Sequence, residues 1–260
     1  MLKPIVFVKF GGSLITDKST SYKANIEIIK KLANEFFLLQ KANPSRIFIL
    51  GIGSGSFGHY AVKKFLHADD GQYGILAVQN AVKTLHLIVM EALYYANNKC
   101  FSCSPSSMNF FLKNQNEEAD ISPVLEILSK NIVPVLHGDI LYDGTILSTE
   151  MVFEKIINFL IKKNYIIDSI IYLTNVSGFY DKEMKTISKI TPKNWENIQD
   201  CIYRNESYDV TGGIKHKIES SLELLKNDIT TYIINGNEEN SLLNALNKEV
   251  SKSKTIIYRN

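Results

Sequence analysis

The sequence contains few cysteines, and their placement argues against a disulfide framework or a structural metal site. There are three in 260 residues, a number that suits a reducing compartment. Cys100 and Cys103 have the two-residue spacing of a metal or redox pair, but no second pair follows and Cys201 is remote in the sequence. The segment around them has the pattern of a short strand, in which positions three apart face opposite sides. We therefore predict that these cysteines form no metal site.

The sequence also lacks an excess of charge of one sign and long apolar runs. Its formal net charge is +2, with 22% charged and 45% hydrophobic residues. This balance is typical of a globular protein and gives no reason to expect nucleic acid or a membrane surface as a partner. The apolar run within residues 1–9 is too short for a signal peptide, and no run approaches the roughly 20 apolar residues of a membrane span. We predict a cytoplasmic location.

Two familiar nucleotide-binding signatures are incomplete. Gly53, Gly55 and Gly58 have the glycine spacing of the dinucleotide-binding fingerprint. The acidic residue that should follow a second strand about 20 residues later would fall within Phe65–Gly74, which has no strand pattern. A G-x-x-x-x-G-K-[ST] loop is missing as well, because no lysine follows the glycines at that spacing. A dehydrogenase is therefore the weakest alternative.

The sequence does contain three glycine-rich stretches that carry basic side chains. Lys9–Ser13 ends an apolar strand, Gly51–His59 follows the apolar run Arg46–Leu50, and Asp209–Lys217 opens a helix. Glycines let the backbone approach a ligand, and the free N–H groups of a first helical turn attract anions. Lys18 could reach the first of these sites. Three anion sites on one sheet favour phosphoryl transfer between two phosphate-bearing ligands, in which catalysis consists mainly of positioning and fixed positive charge.

The order of elements predicts an α/β fold with a mostly parallel sheet and helices on both faces. Helices are expected over Tyr22–Lys41, from Pro123 to Lys130, over Met151–Lys163 and from Gly213, and strands over Ile5–Lys9, Arg46–Leu50, Ile132–Leu136, Ser169–Thr174, Thr230–Asn235 and Lys254–Tyr258. Asp143-Gly144 predicts a β-hairpin, and residues 101–121 predict an exposed hairpin or flap. The helix predicted from Gln72 to Asn97 is apolar on nearly every side, so it crosses the core, lines an apolar pocket or forms a dimer interface.

The glycine-rich motifs resemble those of one kinase family. They are Lys9-Phe-Gly-Gly-Ser-Leu-Ile-Thr-Asp-Lys18-Ser, the Gly-Ser-Phe-Gly58-His59 loop with Ala61 and Lys63-Lys64-Phe65 after it, His137-Gly-Asp-Ile140, and Asp209-Val-Thr-Gly-Gly213 with Lys217. Taken in this order, from residue 5 to about 236, the chain resembles the isopentenyl phosphate kinases of the amino acid kinase superfamily. The histidine after Ser-Phe-Gly is shared with fosfomycin kinases and separates both from members that phosphorylate carboxylates.

The resemblance implies an ATP-dependent kinase that converts isopentenyl phosphate to isopentenyl diphosphate, with Mg²⁺ bound through the ATP phosphates. It implies the amino acid kinase fold, an open α/β/α sandwich that acts as a homodimer. Residues 1–165 would form the lobe that binds the phosphate acceptor, and residues 166–260 the lobe that binds ATP, on one continuous sheet. The helix from Gln72 would then wall a pocket for the isoprenoid tail.

The resemblance also implies roles for individual residues. The expected catalytic residues are Lys9, His59 and Lys18, with Lys9 bridging the donor and acceptor phosphates. The expected acceptor-binding residues are Gly53, Gly58, His59 and Thr149. The expected ATP-binding residues are Lys9, Gly11, Gly12, Ser13, Ser54, Asn175, Gly213 and Lys217.

Three departures from the family pattern leave alternatives open. The second loop usually begins His-Gly-Gly-Gly, whereas here it begins Gly51-Ile-Gly-Ser54. Ser148-Thr-Glu-Met151 replaces the usual Ser-Gly-Asp-Asp, and Asn175-Val-Ser-Gly178 replaces Asp-Val-Asp-Gly, so acidic residues are lost near the nucleotide. The first alternative is a kinase for fosfomycin or another small phosphonate or phosphate monoester. The second, of another class, is a nucleotide-binding sensor without catalytic activity.

Overall fold

The computed structural model describes residues 3–17, 19–66, 71–108, 121–199, 213–246 and 254–259, with the side chains of its last helix described from residue 218. The strands are β1 (Ile5–Phe10), β2 (Ile47–Ile52), β3 (Cys100–Ser102), β4 (Val133–His137), β5 (Asp139–Ile140), β6 (Ile146–Leu147), β7 (Ile167–Thr174), β8 (Lys189–Ile190), β9 (Thr230–Asn235) and β10 (Lys254–Ile257). The α-helices are α1 (Gly12–Ile15), α2 (Ile26–Ala42), α3 (Gly55–Ala61), α4 (Gly71–Tyr95), α5 (Ser122–Ser129), α6 (Thr149–Lys162), α7 (Pro192–Ile198) and α8 (Gly213–Leu224).

Eight of the strands form one sheet in the order β3-β4-β2-β1-β7-β9-β10-β8. All neighbours in this sheet are parallel except β9 and β10, which are antiparallel. Alternate side chains of β1 enter different clusters: Val6 and Val8 pack with α2 and α4, and Ile5 and Phe7 with α5 and α6. Helices therefore cover both faces of a mostly parallel sheet, which confirms the predicted three-layer α/β architecture.

The chain order places a topological switch point at the centre of this sheet. From β1 the chain continues to β2 on one side, whereas β7 pairs with β1 on the other side. Ligands of open α/β sheets bind in the crevice at the carboxyl ends of the strands, where the strand order reverses. The loops that follow β1, β2 and β7 surround this crevice. The proposed lobe boundary at residues 165/166 falls just before β7 and stays a prediction.

The long apolar helix is present, but it is not buried all round. Predicted from Gln72 to Asn97, it spans Gly71–Tyr95 and packs its inner side chains against α2 and α3. Its outer side carries exposed apolar side chains, including Tyr94, which is 76% exposed. Within the described residues α4 is long and apolar enough, by length and composition alone, to cross a membrane. The buried side of this helix forms part of the core.

The other helices and strands that the sequence predicted are present and differ mainly at their ends. Asp143-Gly144 lies in the predicted hairpin, where β5 and β6 are antiparallel and Gly144 has a φ of +87°. The helix predicted from Tyr22 begins four residues later, because the Asn25 side chain accepts a hydrogen bond from the Ile28 N–H and caps it. Of the predicted flap, β3 and a short 3₁₀ turn are described, and residues 109–120 lie outside the described residues.

Candidate active site

The glycine turns after β1 and β2 pack directly on each other. A Cβ atom on Gly12 would lie 2.3 Å from the backbone nitrogen of Gly55, and one on Gly53 would lie 2.5 Å from the nitrogen of Gly12. Gly11 is equally close to the next strand, because its Cβ would lie 2.3 Å from the carbonyl oxygen of Leu173 in β7. Only glycine permits these approaches of backbone to backbone. The two turns predicted to hold phosphates therefore meet at the switch point.

A threonine that the sequence analysis did not select fastens the two turns together. The Thr16 hydroxyl donates to the Gly12 carbonyl at 2.7 Å and accepts from the Ser56 N–H at 2.9 Å. The first residue of α3, Gly55, adopts a positive φ of +50°, so the chain reverses sharply after β2. One indication of Thr16 was present in the sequence, which is its position just after the first glycine turn. Its partner Ser56 lies 40 residues away in the sequence, so their contact could not be predicted.

Lys9 is the next-to-last residue of β1, just before these turns, and is only 8% exposed. Its Nζ lies 2.5 Å from Oε1 of Glu150, in the first turn of α6. A nearly buried ammonium group requires such a counter-charge. The same carboxylate is a secondary reason, after burial, for the raised pKa of Tyr172. Sequence reasoning treated Glu150 only as part of a departure from the family pattern and missed this pairing.

The other predicted acceptor-side residues have distinct environments. His59 is exposed on α3. A Cβ on Gly58 would lie 2.5 Å from the Ser54 Cβ and 3.2 Å from Cγ1 of Val82 in α4, so this turn packs against the long helix. Thr149 is 2% exposed, and its hydroxyl donates to the Ile52 carbonyl at 2.8 Å. This hydrogen bond ties the start of α6 to β2, and the predicted role of Thr149 in acceptor binding stays a prediction.

The donor-side predictions are only partly within the described residues. Ser13 Oγ lies 3.4 Å from Oδ1 of Asn175, so the loop after β1 contacts the loop after β7. Gly213 begins α8 as predicted. Lys18 and residues 209–212 lie outside the described residues, as does the side chain of Lys217. The roles predicted for Lys9, Gly11, Gly12, Ser54, Gly53, Gly58 and His59 are tested by none of these contacts and stay predictions.

The His137-Gly-Asp-Ile140 motif forms a buried polar cluster beside the second turn. The rings of His137 and His86 lie 4.5 Å apart between centroids. Burial lowers the pKa of His86 to about 3, and the neighbouring His137 contributes. Burial likewise lowers the pKa of His137. Asp139 accepts hydrogen bonds at 3.0 Å from the Ser104 hydroxyl and the Ser106 N–H. The motif therefore packs beside the β2 turn with two neutral histidine rings and a carboxylate that hydrogen bonds hold in place.

Burial also decides the chemistry of the cysteines. It raises the pKa of Cys100 to about 12 and that of Cys103 to about 11. Both side chains therefore stay protonated thiols near neutral pH, and the thiolate is the form that ligates metals or attacks as a nucleophile.

Comparisons with known proteins match this geometry. The amino acid kinase family model matches residues 4–235. The chain is 30% identical over 261 residues to the isopentenyl phosphate kinase of Methanocaldococcus jannaschii, covering 95% of this chain and 96% of that protein. It is 28% identical to the isopentenyl phosphate kinase of Methanothermobacter thermautotrophicus, covering 92% and 95% of the two chains.

A solved structure extends the likeness to the fold. The product complex of the T. acidophilum isopentenyl phosphate kinase matches 97% of this chain and 99% of its own, with a TM-score of 0.72 at 20% identity. The predicted amino acid kinase fold is thereby confirmed. The chain belongs to the amino acid kinase family and, within it, to the isopentenyl phosphate kinases.

Proposed function

We propose that this protein transfers the γ-phosphoryl group of ATP to isopentenyl phosphate, giving isopentenyl diphosphate and ADP. The observation that carries the proposal is the contact of the two glycine turns above the Lys9–Glu150 pair at the switch point. The matching relatives are named for this acceptor. An anion held by each turn would lie close to the other, as in-line transfer between two phosphates requires.

Lys9 supplies fixed positive charge where the two phosphates would meet. As charge spreads over the transferred group, a preorganised ammonium stabilises it without reorganisation. Glu150 holds that ammonium in place from α6. The acceptor is already an oxyanion, so the transfer requires no general base. His59 donates a hydrogen bond to the acceptor phosphate from α3. Lys18 is proposed as a second catalytic cation.

The donor is proposed to lie between the loop after β1 and the loop after β7. Ser13 and Asn175 face each other there, and α8 with Gly213 and Lys217 follows on the same side. Mg²⁺ prefers oxygen ligands and keeps several waters. Among the described residues no group of three metal-ligating side chains exists, and the neutral oxygens of Ser13 and Asn175 suit an ion carried mainly by phosphates. When bound, the ion would neutralise part of the phosphate charge.

The isoprenoid tail is proposed to lie against α4. Val82 of this helix contacts the turn at Gly58, so an acceptor phosphate held there would direct its tail to an apolar wall. The neighbouring inward side chains of α4, Val78 and Leu85, are buried and apolar. A small phosphonate such as fosfomycin would gain nothing from this wall, and no contact among the described residues favours it.

We also propose that the enzyme is a cytosolic homodimer. Tyr73, Leu76, Leu87 and Tyr94 recur along the outer side of α4 at helical spacing, and each is at least 60% exposed. An apolar stripe of this kind is typical of a surface that a partner covers. We propose a second copy as that partner. Light scattering should give a dimer mass that Leu87→Asp lowers and that Leu38→Asp, at an exposed position of α2, does not.

One experiment tests the proposed activity. ADP release from Mg-ATP is measured with isopentenyl phosphate, dimethylallyl phosphate, fosfomycin and no acceptor. Turnover with the isoprenoid monophosphates alone is expected. Turnover with fosfomycin alone would overturn the acceptor, and ATP binding without turnover on any acceptor would support a non-catalytic sensor instead.

A further inference from the structure

Two charged side chains on α2 hold the segment that follows β9. Lys31 Nζ donates to the carbonyl oxygens of Gly236 and Glu238, both at 2.7 Å. Glu35, one helical turn later, accepts from the N–H groups of Asn240 and Leu242 at 3.0 and 2.8 Å. The ammonium thus binds the carbonyls of the segment, and the carboxylate binds its amides. We call Lys31 and Glu35 the α2 clamp.

The burial of this clamp sets it apart from surface ion pairs. Glu35 is only 5% exposed, and its carboxylate lies 3.7 Å from Lys31 Nζ. A buried carboxylate is stable only when hydrogen bonds and a counter-charge replace its hydration. The backbone of residues 236–242 supplies two of those bonds. The segment and the carboxylate therefore fix each other's position.

The clamped segment also contacts the proposed donor side of the active site. The Gly236 N–H donates to the Thr174 carbonyl at the end of β7 at 2.8 Å. A Cβ on Gly236 would lie 2.2 Å from Cδ2 of Leu14, which directly follows Ser13 in α1. Ser177 Oγ, in the loop after β7, lies 3.4 Å from a carboxylate oxygen of Glu238. A displacement of residues 236–242 would therefore disturb both loops that face the donor.

We propose that Glu35, assisted by Lys31, is a positioning residue for the donor nucleotide. The clamp keeps the segment 236–242 against α1 and the loop after β7, so that Ser13 and Asn175 keep their facing arrangement. Glu35 does not touch the reactants. The acceptor side has further support outside the clamp, from the contact of the glycine turns and from Thr16. Loss of the clamp should therefore affect the donor more than the acceptor. This inference rests on the proposed function.

The test compares Glu35→Gln with a control that perturbs the same helix elsewhere. Asn98 donates to the Ala33 carbonyl of α2 at 2.9 Å and accepts from Gln40, without reaching the clamped segment. Asn98→Ala should therefore lower the melting temperature with little change in either KM. Glu35→Gln keeps the side-chain size but removes the charge, and it should raise the KM for ATP about tenfold, equivalent to about 1.4 kcal/mol. The KM for isopentenyl phosphate should stay within about twofold.

Lys31→Met provides a second, milder variant in case Glu35→Gln fails to fold, and Lys30→Met is its surface control. Lys30 lies on the same helix and pairs with the exposed Glu27 at 3.6 Å. Binding of ATP alone, measured by calorimetry, separates the two hypotheses. Wild-type protein that binds ATP but uses no acceptor would refute the proposed activity and leave the clamp testable by the ATP Kd. Equal changes in both KM values, or a lower melting temperature with an unchanged ATP Kd, would overturn the clamp proposal.

Discussion

The acceptor side and the donor side of the crevice lie at one edge of the sheet but are built differently. The acceptor side is built on the β2 turn, whose backbone touches the β1 turn at glycines, and Thr16 joins the two turns. On the donor side, side chains reach from helices to loops, from Ser13 of α1 to Asn175 and from Lys31 of α2 to the Gly236 carbonyl. Backbone contacts tolerate no added atom, whereas side-chain contacts can be weakened in steps. The two sides should therefore respond differently to substitution.

The largest effect is expected from Gly12→Ala. The added Cβ would meet the Gly55 nitrogen at 2.3 Å, so the two turns must separate. Overpacking of this kind costs about 1–3 kcal/mol or more, and the displaced turn should abolish most turnover. Urea unfolding and ADP release measure the two effects. Gly71→Ala is the matched control, because a Cβ there meets no atom within 4 Å. Wild-type activity in Gly12→Ala would disprove the rigid backbone contact.

Lys9→Met should have the next largest effect, and it separates catalysis from stability. Removing a preorganised charge from a developing anion typically lowers kcat about 10²–10³-fold. The carboxylate that remains, Glu150, is partly exposed at 27% of its side chain, so water can solvate it and the melting temperature should change little. Glu150→Gln keeps the Lys9 ammonium but removes the charge that holds it in place, so kcat should fall less than in Lys9→Met. A larger loss in Glu150→Gln than in Lys9→Met would contradict these roles.

His59→Ala should act on the acceptor alone. It removes a charge-assisted hydrogen bond worth about 1.5–3 kcal/mol, so kcat/KM for the acceptor should fall more than tenfold. The KM for ATP should remain near its wild-type value. His59→Gln keeps a hydrogen-bond donor and should recover part of the loss. Unchanged kcat/KM in His59→Ala would show that the acceptor phosphate lies elsewhere.

The same contrast explains how much the sequence could predict. The glycine turns were found because glycine spacing, the preceding apolar strand and the following helix are all local features. The continuous apolar run of β1 is also a local feature, and it predicted that the strand is covered on both faces. The pairing of Lys9 with Glu150 was missed, because it joins residues that are far apart in the chain and only the parallel order of β1, β2 and β4 brings them together. A buried lysine at the end of a strand requires a carboxylate nearby, but the sheet topology decides which carboxylate that is.

Long-range side-chain contacts also explain the other places where the structure differs from what the sequence predicted. Nothing near Glu35 in the sequence indicates that its partners lie at residues 240 and 242. The hydroxyl of Thr149 donates to the carbonyl of Ile52, a partner 97 residues away that the sequence could not indicate. The apolar composition of α4 left open whether the core, an apolar pocket or a dimer partner covers it, because composition does not show which side of a helix a neighbour covers. Its exposed stripe became visible only when α2 and α3 were placed.

The smallest effect on stability at neutral pH is expected from the His86–His137 pair. This pair lies on the acceptor side. Burial lowers both pKa values, with that of His86 lowered to about 3, so both rings stay neutral in the folded protein and take up protons on unfolding. The ordinary histidine pKa is about 6.5. Their contribution to stability is therefore complete above about pH 6.5 and declines as the pH falls from there towards the folded-state values.

Urea unfolding at several pH values between 7.5 and 4 tests this prediction. The free energy of unfolding should decrease by up to about 1.4 kcal/mol per pH unit for each ring that stays neutral. Asp139 opposes part of this loss by favouring the protonated rings, whereas Lys83 adds to it at His137. His86→Gln, which cannot titrate, should show a shallower decline than the wild-type protein. An identical slope in both proteins would mean that acid acts elsewhere, and the acceptor side would then owe its rigidity to the glycine contacts and Thr16 without help from the histidine pair.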